Sequence, residues 1–119
     1  MNNVNLFDLL QNDISDFSEL GSVFVAGDFN ARVGLKHDFI VCDAFNEFTD
    51  DTEYSPDVFS YRASHDNMCN NFGTHLLDLC KATCVRIING RIGSDAGKGA
   101  FTYVSAQGRR NRFLVHCEF

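Results

Sequence analysis

A carboxylate and a carboxamide stand two residues apart directly after an apolar run, and this pair is the best candidate for chemistry in the sequence. The run is Val23–Ala26, and Asp28 and Asn30 follow it in the octet Gly-Asp-Phe-Asn-Ala-Arg-Val-Gly. Aspartate can orient or deprotonate a water, and asparagine can donate to a phosphate oxygen. Because ligands gather where the strands of open α/β sheets end, the position suits a site. The structural alternative is that Asp28 closes an Asx-turn after the strand.

Hydrophobic periodicity predicts the elements that would position this pair. Apolar residues at helical spacing predict an amphipathic helix over 3–19, capped by Asn5 or Asn3. A second helix is predicted over 71–83. The predicted strands are 22–27, buried on both faces, and then 85–88, 100–105 and 112–117, with a turn at 106–109. Residues 35–70 lack a clean period and predict a long loop, which in a small domain is usually functional or disordered.

Composition predicts one domain over residues 1–119 with a Phe-rich core. The net charge of −6 disfavours binding to nucleic acid, because such binding normally depends on Lys and Arg contacts to phosphates. Five cysteines without a Cys-x-x-Cys pair favour reduced, buried thiols. No stretch approaches membrane-spanning length, and the N-terminus lacks the basic and apolar segments of a signal peptide. We therefore expect an intracellular location, nuclear or cytoplasmic, and no membrane partner.

The octet resembles the Gly-Asp-Phe-Asn motif of the endonuclease/exonuclease/phosphatase superfamily. The residues of the octet are most similar to those of the endonuclease domain of non-LTR retrotransposons. The resemblance continues in the family's order through the chain. The later matching positions are Arg62, Ser64, Asp66, Asn70 and Gly73, followed by the segments 76–80, 87–91 and 101–105.

The resemblance implies an α/β fold, a partial α/β/β/α sandwich with helices packed on a mixed β-sheet. It also implies Mg²⁺-dependent hydrolysis of a phosphodiester, with DNA as the substrate. In the family the residue matching Asp28 interacts with the attacking water, and the residue matching Asn30 contacts the scissile phosphate. A Thr matching Thr102 approaches the substrate backbone, although Thr102 is equally well explained as an ordinary β-branched strand residue.

Two parts of the family pattern are missing from these 119 residues. The early Glu that binds the metal has no counterpart, and the closing Ser-Asp-His does not occur. Because the members of such a site act as a unit, loss of one costs about as much as loss of several. We therefore expect a truncated fragment that is inactive alone, so whether it is an enzyme is left open. The alternative is a non-catalytic interaction module that self-associates or completes a split domain.

Overall fold

The computed structural model describes residues 4–40, 61–105, 108–110 and 115–116. Two helices of equal length, α1 and α2, dominate this part of the chain. Their bounds and those of the short strands are α1 Leu6–Ser18, β1 Phe24–Val25, α2 Asn71–Thr83, β2 Arg86–Ile87, β3 Tyr103–Ser105, β4 Gly108–Arg110 and β5 Val115–His116, with a 3-10 turn at Gly93–Asp95. Within the described residues, neither helix has the length and apolar content needed to cross a membrane.

Both helices begin at an asparagine whose side chain satisfies a backbone donor that the helix leaves without a partner. Asn5 Oδ1 accepts from the Phe7 N–H at 3.1 Å, and Asn70 Oδ1 accepts from the Gly73 N–H at 2.7 Å. Such a cap stabilises a helix by about 1 kcal/mol. The two helices lie within one residue of their predicted start or end at three of four termini, and α1 starts three residues later than predicted.

The core lies between α1, α2 and the two segments that follow β1 and precede β2. The apolar face of α2 contributes four of the nine buried core residues that the structure describes, more than any other single element. The buried members of the core are Ile14, Ala31, Val33, Leu76, Leu77, Leu79, Cys80, Val85 and Ile87.

The apolar face of α1 is covered only in its middle. Ile14 is buried and Leu10 is half-buried, but Leu6 is 76% exposed and Phe17 is 60% exposed. The periodicity identified the correct face, yet the packing of α2 reaches only part of it. Apolar surface therefore remains exposed at both ends of the helix.

The prediction of a partial α/β/β/α sandwich with helices on a mixed sheet is wrong. Among the described strands every pairing is antiparallel, and no strand exceeds three residues. The late strand β5 lies between β1 and β2 and runs opposite to both, while β3 pairs with β4 in a separate ribbon. A mixed sheet needs a parallel pair, and the insertion of β5 removes the place where β1 and β2 could form one.

The strand predicted over 22–27 is also shorter and more exposed than expected. Only Phe24 and Val25 join the sheet, at an edge of the described strands, and Phe24 is 71% exposed. An apolar run predicts burial on both faces only if neighbours cover both faces, and here they do not. The turn predicted at 106–109 is partly wrong, because residues 108 and 109 lie in β4 and residues 106 and 107 lie outside the described ranges. Within the predicted 35–70 loop, residues 41–60 also lie outside the described ranges.

Candidate functional site

Asp28 follows β1 and accepts a hydrogen bond from a backbone N–H two residues further along the chain. The backbone N–H of Asn30 donates to Asp28 Oδ1 at 3.1 Å, which is the two-residue geometry of an Asx-turn. The side chain of Asp28 is exposed. The Asx-turn that was the structural alternative for Asp28 therefore forms, whereas the catalytic role of this residue stays a prediction.

Asn30 is held in the left-handed region of backbone space, with φ at 49°. Asparagine visits this region more readily than most residues because its short polar side chain bonds locally. Residue 30 therefore does not continue the extended backbone of β1. The left-handed backbone conformation at position 30 explains an asparagine there without any phosphate contact.

Asn70 connects the octet to α2. Its Oδ1 accepts from the backbone N–H of Arg32 at 2.9 Å as well as from Gly73, and its Nδ2 donates to the carbonyl oxygen of Asn30 at 2.9 Å. The Asn70 N–H in turn donates to the Arg32 carbonyl oxygen at 2.9 Å. One side chain therefore caps the helix and positions the backbone of the Asp28 turn.

Gly73 allows this close approach. A Cβ at position 73 would overlap the carbonyl oxygen of Arg32, so any other residue would push α2 away from the octet. Here glycine is required by space, because position 73 lies in a regular helix where its backbone freedom is a cost.

Arg32 and Asp66 form a two-pronged ion pair beside the same contact. Arg32 Nε lies 2.8 Å from Asp66 Oδ2 and Nη2 lies 2.7 Å from Oδ1, with the Asp66 side chain 2% exposed. Hydrogen bonding to Asp66 raises the pKa of the Arg32 guanidinium above its ordinary value. The backbone N–H of Met68 adds a third bond to Asp66 at 3.0 Å. This planar pairing fixes the segment before α2 against the octet.

The positions that carried the family resemblance thus share a structural role. Arg62 donates from Nη2 to the carbonyl oxygens of Gly34 at 2.8 Å and Lys36 at 3.0 Å. Ser64 Oγ accepts from the Asp66 N–H at 3.1 Å and so closes the turn that presents Asp66. Together with Asn70 and Gly73, these residues join the octet to the chain that precedes α2.

Asp28 and Asn30 line a shallow groove that we name the α1–α2 groove. Its volume is about 250 Å³. The surrounding side chains are mainly apolar and come from the start of α1, the octet and the start of α2. They are Leu6, Phe7, Leu10, Asp28, Phe29, Asn30 and Phe72. Among the described residues of this lining Asp28 is the only charged one, and none of them is a cation that could contact a phosphate.

Thr102 does not belong to the same sheet as the octet. It is exposed and lies in a bend immediately before β3, which pairs with β4 rather than with β1. It is not among the residues that line the α1–α2 groove. The strand predicted over 100–105 is shorter than expected, because β3 begins at Tyr103 and leaves Thr102 outside it. Its predicted substrate contact rests on the resemblance alone.

The residues around Asp28 do not fit a resident Mg²⁺ ion. Mg²⁺ favours carboxylate, phosphate and water oxygens in octahedral geometry. The described lining of the groove supplies one carboxylate, and Oδ1 of that carboxylate accepts from a backbone N–H. Across the described ranges, no three His, Cys, Asp or Glu side chains converge as metal ligands.

A second concave region is built around a buried ion pair that sequence reasoning did not find. Arg91 contacts Asp38 through Nη1 at 2.8 Å and Nη2 at 2.9 Å, and the Ile87 N–H donates to Asp38 Oδ2 at 2.8 Å. Burial alone would raise the pKa of Asp38, but these bonds outweigh burial and hold the pKa below its ordinary value. The partners of Asp38 lie 49 and 53 residues away, so no local pattern could reveal them.

The adjacent cavity has a volume of about 280 Å³. Its lining combines the buried pair with other basic and aromatic residues, namely Leu35, Lys36, His37, Asp38, Phe39, Tyr61, Arg62 and Arg91. Arg62 and Arg91 both donate to backbone or carboxylate oxygens of this chain. We therefore assign these two arginines to the stability of the fold.

Comparison with known proteins adds no relative, since no family model, no curated protein and no solved structure matches this chain.

Proposed function

We propose that these 119 residues are a catalytically silent, phosphodiesterase-like fragment that retains the retrotransposon-type Gly-Asp-Phe-Asn segment as a structural element. The observation that supports the proposal best is the state of Asp28. Its carboxylate forms an Asx-turn in a groove whose described lining holds no second carboxylate and no cation. A phosphodiesterase needs positive groups to stabilise charge that develops on the phosphate, and the described lining of this groove offers none.

Charge supports the same proposal. The first 31 residues contain five carboxylates and no Lys, Arg or His, and the octet lies at the end of this stretch. Protein affinity for DNA comes largely from cations that replace the counterions of phosphates. An acidic surface beside the groove would repel a DNA backbone, so we expect weak or absent DNA binding.

The second candidate function is a non-catalytic interaction module, and exposed apolar side chains favour it. Leu6 is 76% exposed and Phe72 is 53% exposed at the groove, and Leu20 is 83% exposed at the far end of α1. Clustered apolar side chains on a surface commonly mark a binding site. A partner protein, a second copy or a complementary fragment would each explain them.

Nicking of supercoiled plasmid in the presence of Mg²⁺ or Mn²⁺ tests the proposal. We expect the purified chain to leave the plasmid intact. Asp28→Asn is the sharpest variant, because asparagine preserves the acceptor of the Asx-turn but removes the carboxylate. Asp13→Asn, at an exposed position of α1, is the matched control. Nicking by the unmodified chain that disappears in Asp28→Asn and persists in Asp13→Asn would overturn the proposal.

A further inference from the structure

The α1–α2 groove leaves apolar side chains exposed that helix packing would normally cover. Leu6 and Phe72 both line it and are both more than half exposed, while Phe7 and Leu10, which also line it, are half-buried. The volume of about 250 Å³ accommodates side chains of a partner rather than a whole element. A groove between two helices with an apolar lining is the type of surface that receives the apolar face of a helix.

The charges around the groove narrow the class of partner. Asp28 is the charged residue of the described lining, and Asp8 and Asp13 are exposed on α1, the helix that contributes Leu6, Phe7 and Leu10 to the groove. No basic residue occurs before Arg32 in the sequence. The α1 side of the groove therefore carries acidic and no basic side chains, and a partner with basic side chains around an apolar stripe complements it.

The same charges argue against other occupants. A second copy of this chain would bring two acidic surfaces together, and like charges at an interface disfavour association. Nucleic acid and anionic lipid surfaces carry negative charge and would be repelled in the same way.

We propose that the α1–α2 groove binds a basic amphipathic helix of a partner protein. Two apolar side chains of that helix, spaced one turn apart, contact the exposed side chains of Leu6 and Phe72. Lysine or arginine side chains that flank them pair with Asp28 and with the carboxylates of α1. This inference deepens the second candidate function and does not depend on the resemblance to phosphodiesterases.

Fluorescence anisotropy with labelled synthetic peptides tests the proposal on the full chain. The first probe is a helix-forming Leu/Lys peptide with Leu at i, i+4 and i+7. The second has the same composition with Leu dispersed around the helix, and the third has Glu in place of Lys. We expect only the first to bind, with a dissociation constant that rises with salt because surface charge pairs are screened.

Three variants locate the binding surface without disturbing the core, since all three positions are exposed. Leu6→Gln should weaken binding of the first peptide about tenfold, the loss expected for one apolar contact. Asp28→Asn should weaken it up to about fivefold, as expected for one exposed ion pair, and should reduce its salt dependence. Leu20→Gln, outside the groove, should bind like the unmodified chain. Far-UV circular dichroism confirms that each variant is folded.

Several results would overturn the proposal. They are equal binding of the three peptides, equal losses in Leu6→Gln and Leu20→Gln, and no binding of the first peptide at about 100 µM, the weak end of specific association. Sedimentation that shows dimers abolished by Leu6→Gln would assign the groove to a second copy instead. Failure here leaves the plasmid result unaffected, because nicking is measured without peptide and depends on Asp28 chemistry rather than on Leu6.

Discussion

Replacement of Asn70 by alanine should destabilise the chain far more than the same replacement at Asn5. Both residues cap a helix of 13 residues, and both use Oδ1 to accept a backbone N–H of the first turn. Only Asn70 also bonds to a distant part of the chain. Its Oδ1 accepts from Arg32 N–H, and its Nδ2 donates to the Asn30 carbonyl oxygen.

The expected magnitudes follow from these bonds. Loss of a cap costs about 1 kcal/mol, and this is the whole expected effect of Asn5→Ala. Asn70→Ala loses the cap and two further hydrogen bonds worth about 1 kcal/mol each, so we expect about 3 kcal/mol in total. Because both variants exchange Asn for Ala, their effects on the unfolded chain are similar and largely cancel in the comparison.

Urea unfolding followed by far-UV circular dichroism measures both free energies of unfolding. Asn70→Asp provides an intermediate case, since it keeps the cap acceptor but replaces the Nδ2 donor with an oxygen that faces the Asn30 carbonyl. We expect its loss to lie between those of Asn5→Ala and Asn70→Ala. If Asn70→Ala costs no more than Asn5→Ala, the octet is not held by Asn70. The proposal that the Asp28 segment is a structural element would then be wrong.

Three further outcomes test other parts of the structure. Gly73→Ala should lower the free energy of unfolding by about 3 kcal/mol, because its new Cβ overlaps a backbone carbonyl oxygen, whereas Gly27→Ala meets no atom within 4 Å and should change it by less than about 0.5 kcal/mol in the same urea assay. The ion pair of Asp38 lowers its folded-state pKa, so its stabilisation is complete above the unfolded value of about 3.9 and is lost as pH falls through the folded value. Unfolding measured from pH 6 to 2 should therefore show acid destabilisation that is smaller in Asp38→Asn, and an identical slope in both proteins would contradict this. Burial raises the pKa of the Cys80 thiol to about 12, so thiol labelling with peptide mapping at pH 8 should modify the exposed Cys84 first and Cys80 only in denaturant.

The sequence by itself determined the local structure around each helix. Apolar residues at helical spacing located α1 and α2, and Asn5, one of the two predicted candidates, caps α1. These features depend on residues within one or two helical turns of each other, and they can therefore be predicted from a single sequence. The possibility of an Asx-turn at Asp28 was likewise visible, because the donor and acceptor lie two residues apart.

Tertiary structure decided everything that depends on distant segments. The insertion of β5 between β1 and β2 gave antiparallel pairings in place of the expected mixed sheet, and β3, which follows Thr102, pairs with β4 in a separate ribbon. The bonds of Asn70 to the octet span 38 and 40 residues, and the ion pair of Asp38 with Arg91 spans 53. Periodicity showed that Leu6 belongs to the apolar face of α1 but not that α2 would leave it exposed. Which strands meet, and which apolar side chains remain uncovered, is set by the packing of segments far apart in sequence, and local residue patterns carry no record of that packing.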